Sequence, residues 1–276
     1  MGQPKLSTIP LENGRVPGYK AKTAEDVGLR VAPTEPQGTP EQITQLAELK
    51  AKYKDKSATE ILHFALTQDF PKTIAAVSSF GSESVVLLHL IAQENPETPV
   101  LFLNTGKLFG ETLRYRDRLQ ETIGLTHIRA IGPHPKDLHE DDPKGALWTK
   151  DTDACCHIRK VLPLKRAMEG FDASITGRKQ FQTSARANLD VIELAQGKFR
   201  LNSLANWSHE DLLDYIKEHN LPRHPLVDDG YLSIGCMPCT ERVKDGDYRS
   251  GRWIGETKDE CGIHYPIGGL TDGEGI

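Results

Sequence analysis

The chain has 276 residues, of which 37% are hydrophobic, with a net charge of -5 and a mean hydropathy of -0.47. This length can bury the core of one large domain or two small ones. No apolar run is long enough to cross a membrane, and the acidic balance argues against nucleic acid as a partner. The N-terminus lacks the basic stretch and apolar core of a secretory signal, so we expect a protein of the reducing cytoplasm without structural disulfides.

Residues 1–40 are rich in Pro, Gly, Thr and Lys without an apolar period, which predicts a flexible arm. Two helices are predicted next, over residues 40–56 and 57–70, the second with Ser57 as N-cap and Glu60 completing a capping box. Short apolar runs then alternate with helical stretches. The predicted strands cover residues 73–77, 100–103, 127–131 and 173–176, and the predicted helices cover residues 84–92, 111–123, 155–168 and 208–219.

This alternation predicts an α/β fold of βαβ units, with a parallel sheet flanked by helices and right-handed crossovers. Residues 255–276 contain six glycines and few apolar residues, so we expect them to form a mobile C-terminal segment.

A serine-rich loop, Ser-Ser-Phe-Gly-Ser-Glu-Ser at 78–84, lies between the first predicted strand and its helix. Ligands of open α/β sheets bind beyond the carboxyl ends of strands, where helix N-termini present free amides. Gly81 allows a tight turn, and the serine hydroxyls can hold phosphate or sulfate oxygens. The Gly-Lys-Ser/Thr ending of a Walker A loop is missing. A plain turn with Ser84 as a helix cap fits the same residues equally well.

Four of the five cysteines occur in two close pairs, the adjacent Cys155 and Cys156 and the CxxC of Cys236 and Cys239. Four thiolates suit one tetrahedral metal site or an iron–sulfur cluster. Consecutive side chains diverge, and the wide edge of a cluster accepts that divergence more readily than a single zinc ion. The pattern therefore favours a cluster over zinc, although spacing alone does not decide, and buried unligated thiols are the third alternative.

The fifth cysteine, Cys261, lies in the glycine-rich tail with His264 three residues on. A nucleophilic cysteine needs exposure and a stabilised thiolate, for which nearby cations would serve; a spectator thiol fits the same residues equally well. Basic residues gather near the cysteine pairs in sequence, as a site for an anionic ligand requires. They include Arg159, Lys160, Arg178, Lys179, Arg186, Arg242, Arg249 and Arg252.

Together these motifs resemble those of the assimilatory adenylyl sulfate (APS) reductases, within the APS/PAPS reductase family. The resemblance covers about residues 57–264. Its specific elements are Ser-Phe-Gly-Ser-Glu-Ser at 79–84, Asn-Thr-Gly-Lys-Leu-Phe at 104–109, Cys-Cys-His-Ile-Arg-Lys at 155–160, Thr-Gly-Arg-Lys at 176–179, Gly-Cys-Met-Pro-Cys-Thr at 235–240 and Glu-Cys-Gly-Ile-His at 260–264. It implies a catalytic domain at 41–254 with the adenine-nucleotide-hydrolase-like (PP-loop) fold.

The resemblance also implies the roles of the site residues. One 4Fe–4S cluster, which shapes the site electrostatically and is not the electron donor, would be held by Cys155, Cys156, Cys236 and Cys239. The phosphosulfate would be bound by Ser79, Phe80, Gly81, Ser82, Glu83 and Ser84, with Lys160 between cluster and substrate and with Lys179, Arg249 and Arg252 as further basic residues.

Cys261 would attack the sulfur of APS, expel AMP and become an S-sulfocysteine, from which thioredoxin, a separate protein, would release sulfite. Three positions depart from the family pattern: Asn104 stands where most relatives have Asp, Lys179 stands where an Arg is usual, and Gln180 replaces a basic residue. The departure at Lys179 keeps the charge and removes bidentate geometry.

Three other functions are alternatives to APS reduction. PAPS reductase activity is the nearest, and the two cysteine pairs, which accompany APS use in this family, favour APS. A tRNA thiolase should have a Ser-Gly-Gly-x-Asp-Ser loop and a more basic surface, neither of which is present. A non-enzymatic iron–sulfur or zinc module would leave Cys261 dispensable. The sequence leaves the oligomeric state open, a homo-oligomer included.

Overall fold

The computed structural model of the protein describes residues 37–243, 248–254 and 263. Most of the predicted arm at 1–40, most of the predicted segment at 255–276, and Cys261 lie outside these described residues. Among the described helices, none combines the length and the apolar character that crossing a bilayer would need.

Within the described ranges the strands form one sheet in the order β3-β2-β1-β4-β6-β5. The strands are β1 Ile74–Ser78, β2 Val100–Leu103, β3 Ile128–Ile131, β4 Ala173–Thr176, β5 Ile192–Ala195 and β6 Lys198–Leu201. All neighbouring strands run parallel except β5 and β6. The predicted α/β fold and its four predicted strands are therefore confirmed.

The β5–β6 hairpin was not among the predicted strands. Its two-residue turn, Gln196 and Gly197, has φ angles of 55° and 67°, the left-handed pair that suits a tight hairpin. Gln37 pairs with this hairpin, because its amide donates to the carbonyl of Leu194 and its own carbonyl accepts from Gly197. Residues just before the first helix are thus tied to the edge of the sheet.

Eight α-helices are found in the described ranges: α1 Pro40–Tyr53, α2 Ala58–Phe64, α3 Ser84–Glu94, α4 Gly110–Ile123, α5 Pro135–Asp141, α6 Thr152–Cys156, α7 Leu162–Ala167 and α8 His209–Glu218. The predicted capping box is confirmed: Ser57 Oγ accepts from the amide of Glu60, and the Glu60 carboxylate accepts from the amide of Ser57 at 2.9 Å. The predicted helix over 57–70 is divided into α2 and a wider π turn at Ala65–Asp69.

A second π turn, His157–Val161, joins α6 to α7 within the predicted helix at 155–168. The amide of Leu162 donates to the carbonyl of His157, five residues back. Pro163 follows in the first turn of α7 and has no amide hydrogen, so it cannot complete a regular α-helical ladder. The wider turn accommodates this proline immediately after the first cysteine pair.

Helices cover both faces of the sheet. On one face the main core includes the apolar helix α3, with Leu88 and Ile91 buried beside Phe102 and Ile175. On the other face α7 packs over β2 and β3, where Leu101 belongs to a smaller core. The connections from β1 lead to β2 on one side and eventually to β4 on the other, so a crevice opens at the carboxyl ends of β1 and β4.

Candidate functional site

A cleft of about 750 Å³ lies at this crevice. Its walls come from the loop after β1, the residues after β4, the π turn before α7, and the loops at 233–236 and 248–253. The topology thus brings together four of the motifs that are far apart in sequence.

The serine-rich loop is held in place by its own hydrogen bonds. Ser78 Oγ accepts from the amide of Phe80 at 3.1 Å, and Ser84 Oγ donates to the carbonyl of Gly81 at 2.7 Å. Phe80 has a φ of 53° and its side chain is fully buried, edge-on to Phe102 with ring centroids 5.3 Å apart. Phe80 therefore anchors the loop in the core instead of lining the cleft, whereas Ser79 is exposed there.

The opposite wall of the cleft is fastened to the same loop. Ser82 Oγ donates to the carbonyl of Leu232 at 2.6 Å and lies 3.0 Å from the hydroxyl of Tyr248. A Cβ at Gly81 would come within 3.2 Å of the carbonyl oxygen of Ile234. The absence of a side chain at Gly81 therefore permits close packing of the two walls.

Glu83 forms a buried ion pair with Lys179, whose Nζ lies 2.5 Å from Oε2. Gln182 Nε2 donates to the same oxygen at 2.8 Å, and His209 Nδ1 lies 3.2 Å from Oε1. Burial alone would raise the pKa of Glu83, but Lys179 and His209 outweigh it and hold this pKa well below its ordinary value. Glu83 and Lys179 both line the cleft, and their ion pair fastens the loop after β1 to the residues after β4.

The remaining predicted basic residues, Lys160, Arg249 and Arg252, also line the cleft. The Arg252 guanidinium lies over the ring of Trp253, 4.3 Å from its centroid, and Nε donates to the carbonyl of Cys239 at 3.3 Å. It also packs directly on Gly235, where an added Cβ would lie 2.3 Å from a guanidinium nitrogen. The cleft thus combines hydroxyls, a helix N-terminus and several cations, which suits an anionic ligand.

The four paired cysteines line one small cavity beside the cleft. Cys155, Cys156, Cys236 and Cys239 share it with Lys107, Trp148, Thr152, Arg159, Lys160 and Pro238. The two pairs are brought together because the amide of Met237 donates to the carbonyl of Lys107 at 2.7 Å, which fixes the CxxC loop against the loop after β2. Cys236 Sγ also lies 3.2 Å from Thr105 Oγ1.

Burial and nearby cations act in opposite directions on the pKa values of the thiols in this cavity. Burial raises the pKa of Cys155 and of Cys239, and the neighbouring Cys236 raises both further. Arg159 opposes the shift at Cys155, and Lys160 opposes it at both thiols. The thiols are thus close enough to repel one another as thiolates, and a cationic group between them would remove that repulsion.

A buried ion pair that sequence reasoning missed supports the same cavity. Arg159 donates to Asp142 Oδ2 at 2.6 Å and to the carbonyl of Thr105 at 2.9 Å. Burial favours a higher pKa for Asp142, but the hydrogen bond and charge of Arg159, together with the amides of Leu147 and Ala146, outweigh it and the net pKa is lowered. No motif marks Asp142, and only the tertiary fold shows that it is the partner of Arg159.

The side chains of the cavity differ from the ligand set of a single metal ion. In the described ranges no three side chains among His, Cys, Asp and Glu are placed to hold a single metal ion. The four thiols instead surround a shared space, and a donor set of four cysteines is the one that iron–sulfur clusters use.

Lys160 and Cys236 connect the two sites, because each lines both the cleft and the cysteine cavity. Asn104 lies nearby and its Oδ1 accepts from the amide of Gly106 at 3.2 Å, a turn that an Asp would form equally well. The predicted nucleophile Cys261 is outside the described residues.

Comparison with known proteins agrees with this geometry. The model of the phosphoadenosine phosphosulfate reductase domain matches residues 73–242. Adenosine 5'-phosphosulfate reductase of Mesorhizobium japonicum is 51% identical over 219 residues, which are 79% of this chain and 86% of that protein. The protein of the same name from Chelativorans sp. is 46% identical over 221 residues, covering 79% of this chain and 90% of that protein.

Among solved structures, the phosphate complex of phosphoadenylyl-sulfate (PAPS) reductase from Candida auris is similar with a TM-score of 0.61 and 27% identity. The match covers 72% of this chain and 97% of that one. The resemblance inferred from the motifs is thereby confirmed, and the chain belongs to the phosphoadenosine phosphosulfate reductase domain family.

Proposed function

We propose that the protein reduces APS to sulfite and AMP in sulfate assimilation, with thioredoxin as the reductant. The observation that carries the proposal is the shared wall of Lys160 and Cys236, which joins a cysteine-lined cavity to a cleft suited to anions. The names of the two relatives, at 51% and 46% identity, support APS as the substrate.

The four paired cysteines would hold one 4Fe–4S cluster. The shared cavity supports this assignment, as does the mutual repulsion that their thiolates would otherwise have. When bound, the cluster supplies electrostatic polarisation next to the substrate and does not donate electrons to it. Lys160, in the wall between the two sites, is suited to pass that effect to the ligand because it faces both.

The phosphosulfate would lie against the serine-rich loop and the N-terminus of α3. The exposed hydroxyl of Ser79 and the cations of Arg249, Arg252 and Lys160 line this part of the cleft. These groups would offset the repulsion between an anionic sulfonyl group and an attacking thiolate. The ammonium of Lys179 is bonded to Glu83, so we assign Lys179 to holding the loop in its binding conformation.

The proposed nucleophile is the Cys261 thiolate. It attacks the sulfur of APS, the bond from sulfur to the phosphate oxygen breaks, and AMP leaves with the electron pair. A thioredoxin thiolate then attacks Cys261 Sγ and sulfite departs with the pair of the S–S bond; the second thioredoxin thiol restores Cys261 and leaves thioredoxin oxidised. An external dithiol is needed because the other four cysteines line the cavity.

The test is Cys261→Ser. We expect this variant to form no sulfite from APS and thioredoxin while its iron content and visible absorption remain those of the wild type. Mass spectrometry of the wild type treated with APS alone should locate a sulfonate on Cys261. Retained sulfite formation, or an adduct on any other thiol, would refute the assignment.

Substrate choice is tested separately by comparing kcat/KM for APS and PAPS. We expect APS to be preferred at least tenfold. A preference for PAPS would change the proposed substrate from APS to PAPS. The proposed sulfonation of Cys261 would not be affected.

A further inference from the structure

His209, the first residue of α8, lies behind the wall of the cleft and contacts that wall at Glu83. Its Nδ1 is 3.2 Å from Glu83 Oε1, whereas Lys179 and Gln182 share the other oxygen of the carboxylate. These three partners in the wall line the cleft, and His209 is not among the described residues that do. His209 is therefore placed to act on a ligand through Glu83 and not by direct contact.

The imidazole of His209 is held in one orientation. Its ring packs against Phe181 and Tyr248, with ring centroids 5.9 Å and 5.3 Å away, and its side chain is 15% exposed. Its backbone is fixed where α8 begins, because Ser208 Oγ accepts from the amide of Asp211 and the Asp211 carboxylate accepts from the amide of Ser208 at 2.7 Å. Packing and capping together hold Nδ1 against the carboxylate.

The carboxylate determines which nitrogen of His209 carries a fixed proton. The pKa of Glu83 is held well below its ordinary value by Lys179 and His209, so the carboxylate is ionised and offers only acceptors. Nδ1 of His209 is then the donor, and this hydrogen bond is the same for a neutral and for a protonated imidazole. Only Nε2 gains or loses a proton, which an imidazole ordinarily does between about pH 5 and pH 8.

The net charge behind the serine-rich loop depends on that second proton. Glu83 and Lys179 neutralise each other in their ion pair. Tyr248, which packs on the imidazole, stays uncharged because burial raises its pKa well above the ordinary value. A proton gained at Nε2 of His209 therefore adds one positive charge beside a neutral pair.

The other charged groups nearby do not change their charge over this pH range. Arg186 and Arg249 act on Lys179 and remain guanidinium ions. Glu210 and Asp211 are the acids in the first turn of α8, where they balance the positive end of the helix. The Asp211 carboxylate is also bonded to the amide and the hydroxyl of Ser208.

We infer that His209 is a positioning residue of the cleft: it orients the carboxylate of Glu83 in the serine-rich loop, and an added proton on its imidazole strengthens the binding of an anion there. This role rests on the proposed function, because the anion is the phosphosulfate assigned there to the loop. By linkage, an anion that binds in the cleft must increase proton uptake by the same imidazole.

The test uses inorganic sulfate as the probe, because its charge is constant between pH 6 and pH 8. Titration calorimetry of the full chain should show binding about fivefold tighter at pH 6 than at pH 8, with proton uptake visible in buffers of different ionisation enthalpy. His209→Gln keeps a donor for Glu83 and cannot become charged. We expect it to bind sulfate equally at both pH values and without proton uptake.

A second variant, His209→Phe, keeps an aromatic ring beside Phe181 and Tyr248 but has no donor for Glu83. We expect it to bind sulfate more weakly than His209→Gln at both pH values, because one edge of the carboxylate is no longer held. Urea unfolding at each pH defines the folded fraction to which the affinities refer. Rescue of binding by Gln but not by Phe separates the hydrogen bond from the packing of the ring.

The matched control is His63→Gln, which removes a similar imidazole–carboxylate pair from the surface. His63 Nδ1 lies 3.0 Å from Glu94 Oε2, and the His63 side chain is 52% exposed. Glu94 ends α3, so this pair is about 15 Å along the helix from the serine-rich loop. His63→Gln should keep the pH dependence of the wild type.

The same pH dependence in His209→Gln and the wild type would overturn the inference, as would its loss in His63→Gln or its absence from the wild type. These outcomes leave the proposed function in place if AMP displaces the sulfate. A wild type that binds no sulfate, or sulfate that AMP does not displace, would count against the anion cleft of the proposed function as well as against the role of His209.

Discussion

The cleft and the cysteine cavity share Lys160 and Cys236 in their walls, yet their polar groups are satisfied in different ways. In the cleft, the buried carboxylate of Glu83 is bonded to a cation and two further donors, all supplied by the protein. In the cavity, burial and the neighbouring Cys236 raise the pKa of Cys155 and of Cys239. The ion pair of the cleft is therefore complete within the protein, whereas under the proposed function the thiols of the cavity are completed by a cluster.

The largest effect is expected from breaking the cavity with Cys236→Ser. This change removes one proposed ligand and the sulfur that lies 3.2 Å from Thr105 Oγ1. We expect complete loss of iron and visible absorption, and loss of sulfite formation, because metal binding and local folding are coupled. Metal analysis and absorption of anaerobically purified protein provide the measurement. Cys261→Ser, which should retain its iron, is the control, and full iron in Cys236→Ser would contradict the shared-cluster assignment.

The cleft can be broken with Glu83→Gln, which leaves the buried Lys179 ammonium without its counter-ion. We expect the free energy of unfolding to fall by about 3–5 kcal/mol, as is typical when one partner of a buried pair is removed. Urea unfolding measures this loss. The double variant Glu83→Gln with Lys179→Met should recover much of it.

Iron content should be unchanged in the folded fraction of Glu83→Gln, because the cysteine cavity has its own ion pair, Arg159 with Asp142. Loss of iron together with stability would show that the cleft and the cysteine cavity are coupled, and would contradict their independent stabilisation.

The smallest effect is expected on the pH dependence of stability, through His224. This histidine supports the segment that leads to the loop at 233–236, which lines both sites. His224 is fully buried; its Nδ1 accepts from the amide of Leu226 at 3.2 Å, and Nε2 lies 3.0 Å from Thr112 Oγ1. Burial lowers the pKa of His224 from 6.5 to about 4, although Glu111 opposes the shift. The folded state binds this proton less readily than the unfolded chain. The contribution of His224 to the free energy of unfolding is therefore complete above pH 6.5 and is lost as the pH falls toward 4.

We expect this histidine to lower the free energy of unfolding by about 2–3 kcal/mol between pH 6.5 and pH 4. The variant His224→Asn keeps an acceptor for the amide of Leu226. Its free energy of unfolding should change less with pH between pH 6.5 and pH 4. His139→Asn removes an exposed imidazole and is the control. The same slope in His224→Asn and the wild type, from urea unfolding at several pH values, would assign the pH dependence to other groups.

The sequence predicted the elements that have strong local signals. The strands at 100–103 and 173–176 were predicted to the residue, because each is a short apolar run between polar segments. Helix α5, which buries no residue, and the β5–β6 hairpin were missed. Their residues alternate or mix polar and apolar types, and their position is set by neighbouring strands and loops.

The candidate site shows the same division. Motifs predicted which residues would meet at the cleft and the cavity, but not the partners that hold them, such as Asp142 for Arg159 and His209 for Glu83. These partners come from distant segments without motifs of their own. At Phe80 the motif suggested a ligand contact, whereas a positive φ turns the side chain into the core beside Phe102.

The π turn at His157–Val161 limits how this chain can change in length. The adjacent cysteines precede the turn, Lys160 lies within it, and Pro163 follows. Because the turn holds one residue more than an α-helical turn, deleting a residue here would restore ordinary helical pitch and rotate the lysine relative to the sulfurs. Insertions and deletions should therefore be tolerated in the loops flanking this helix and not within these five positions.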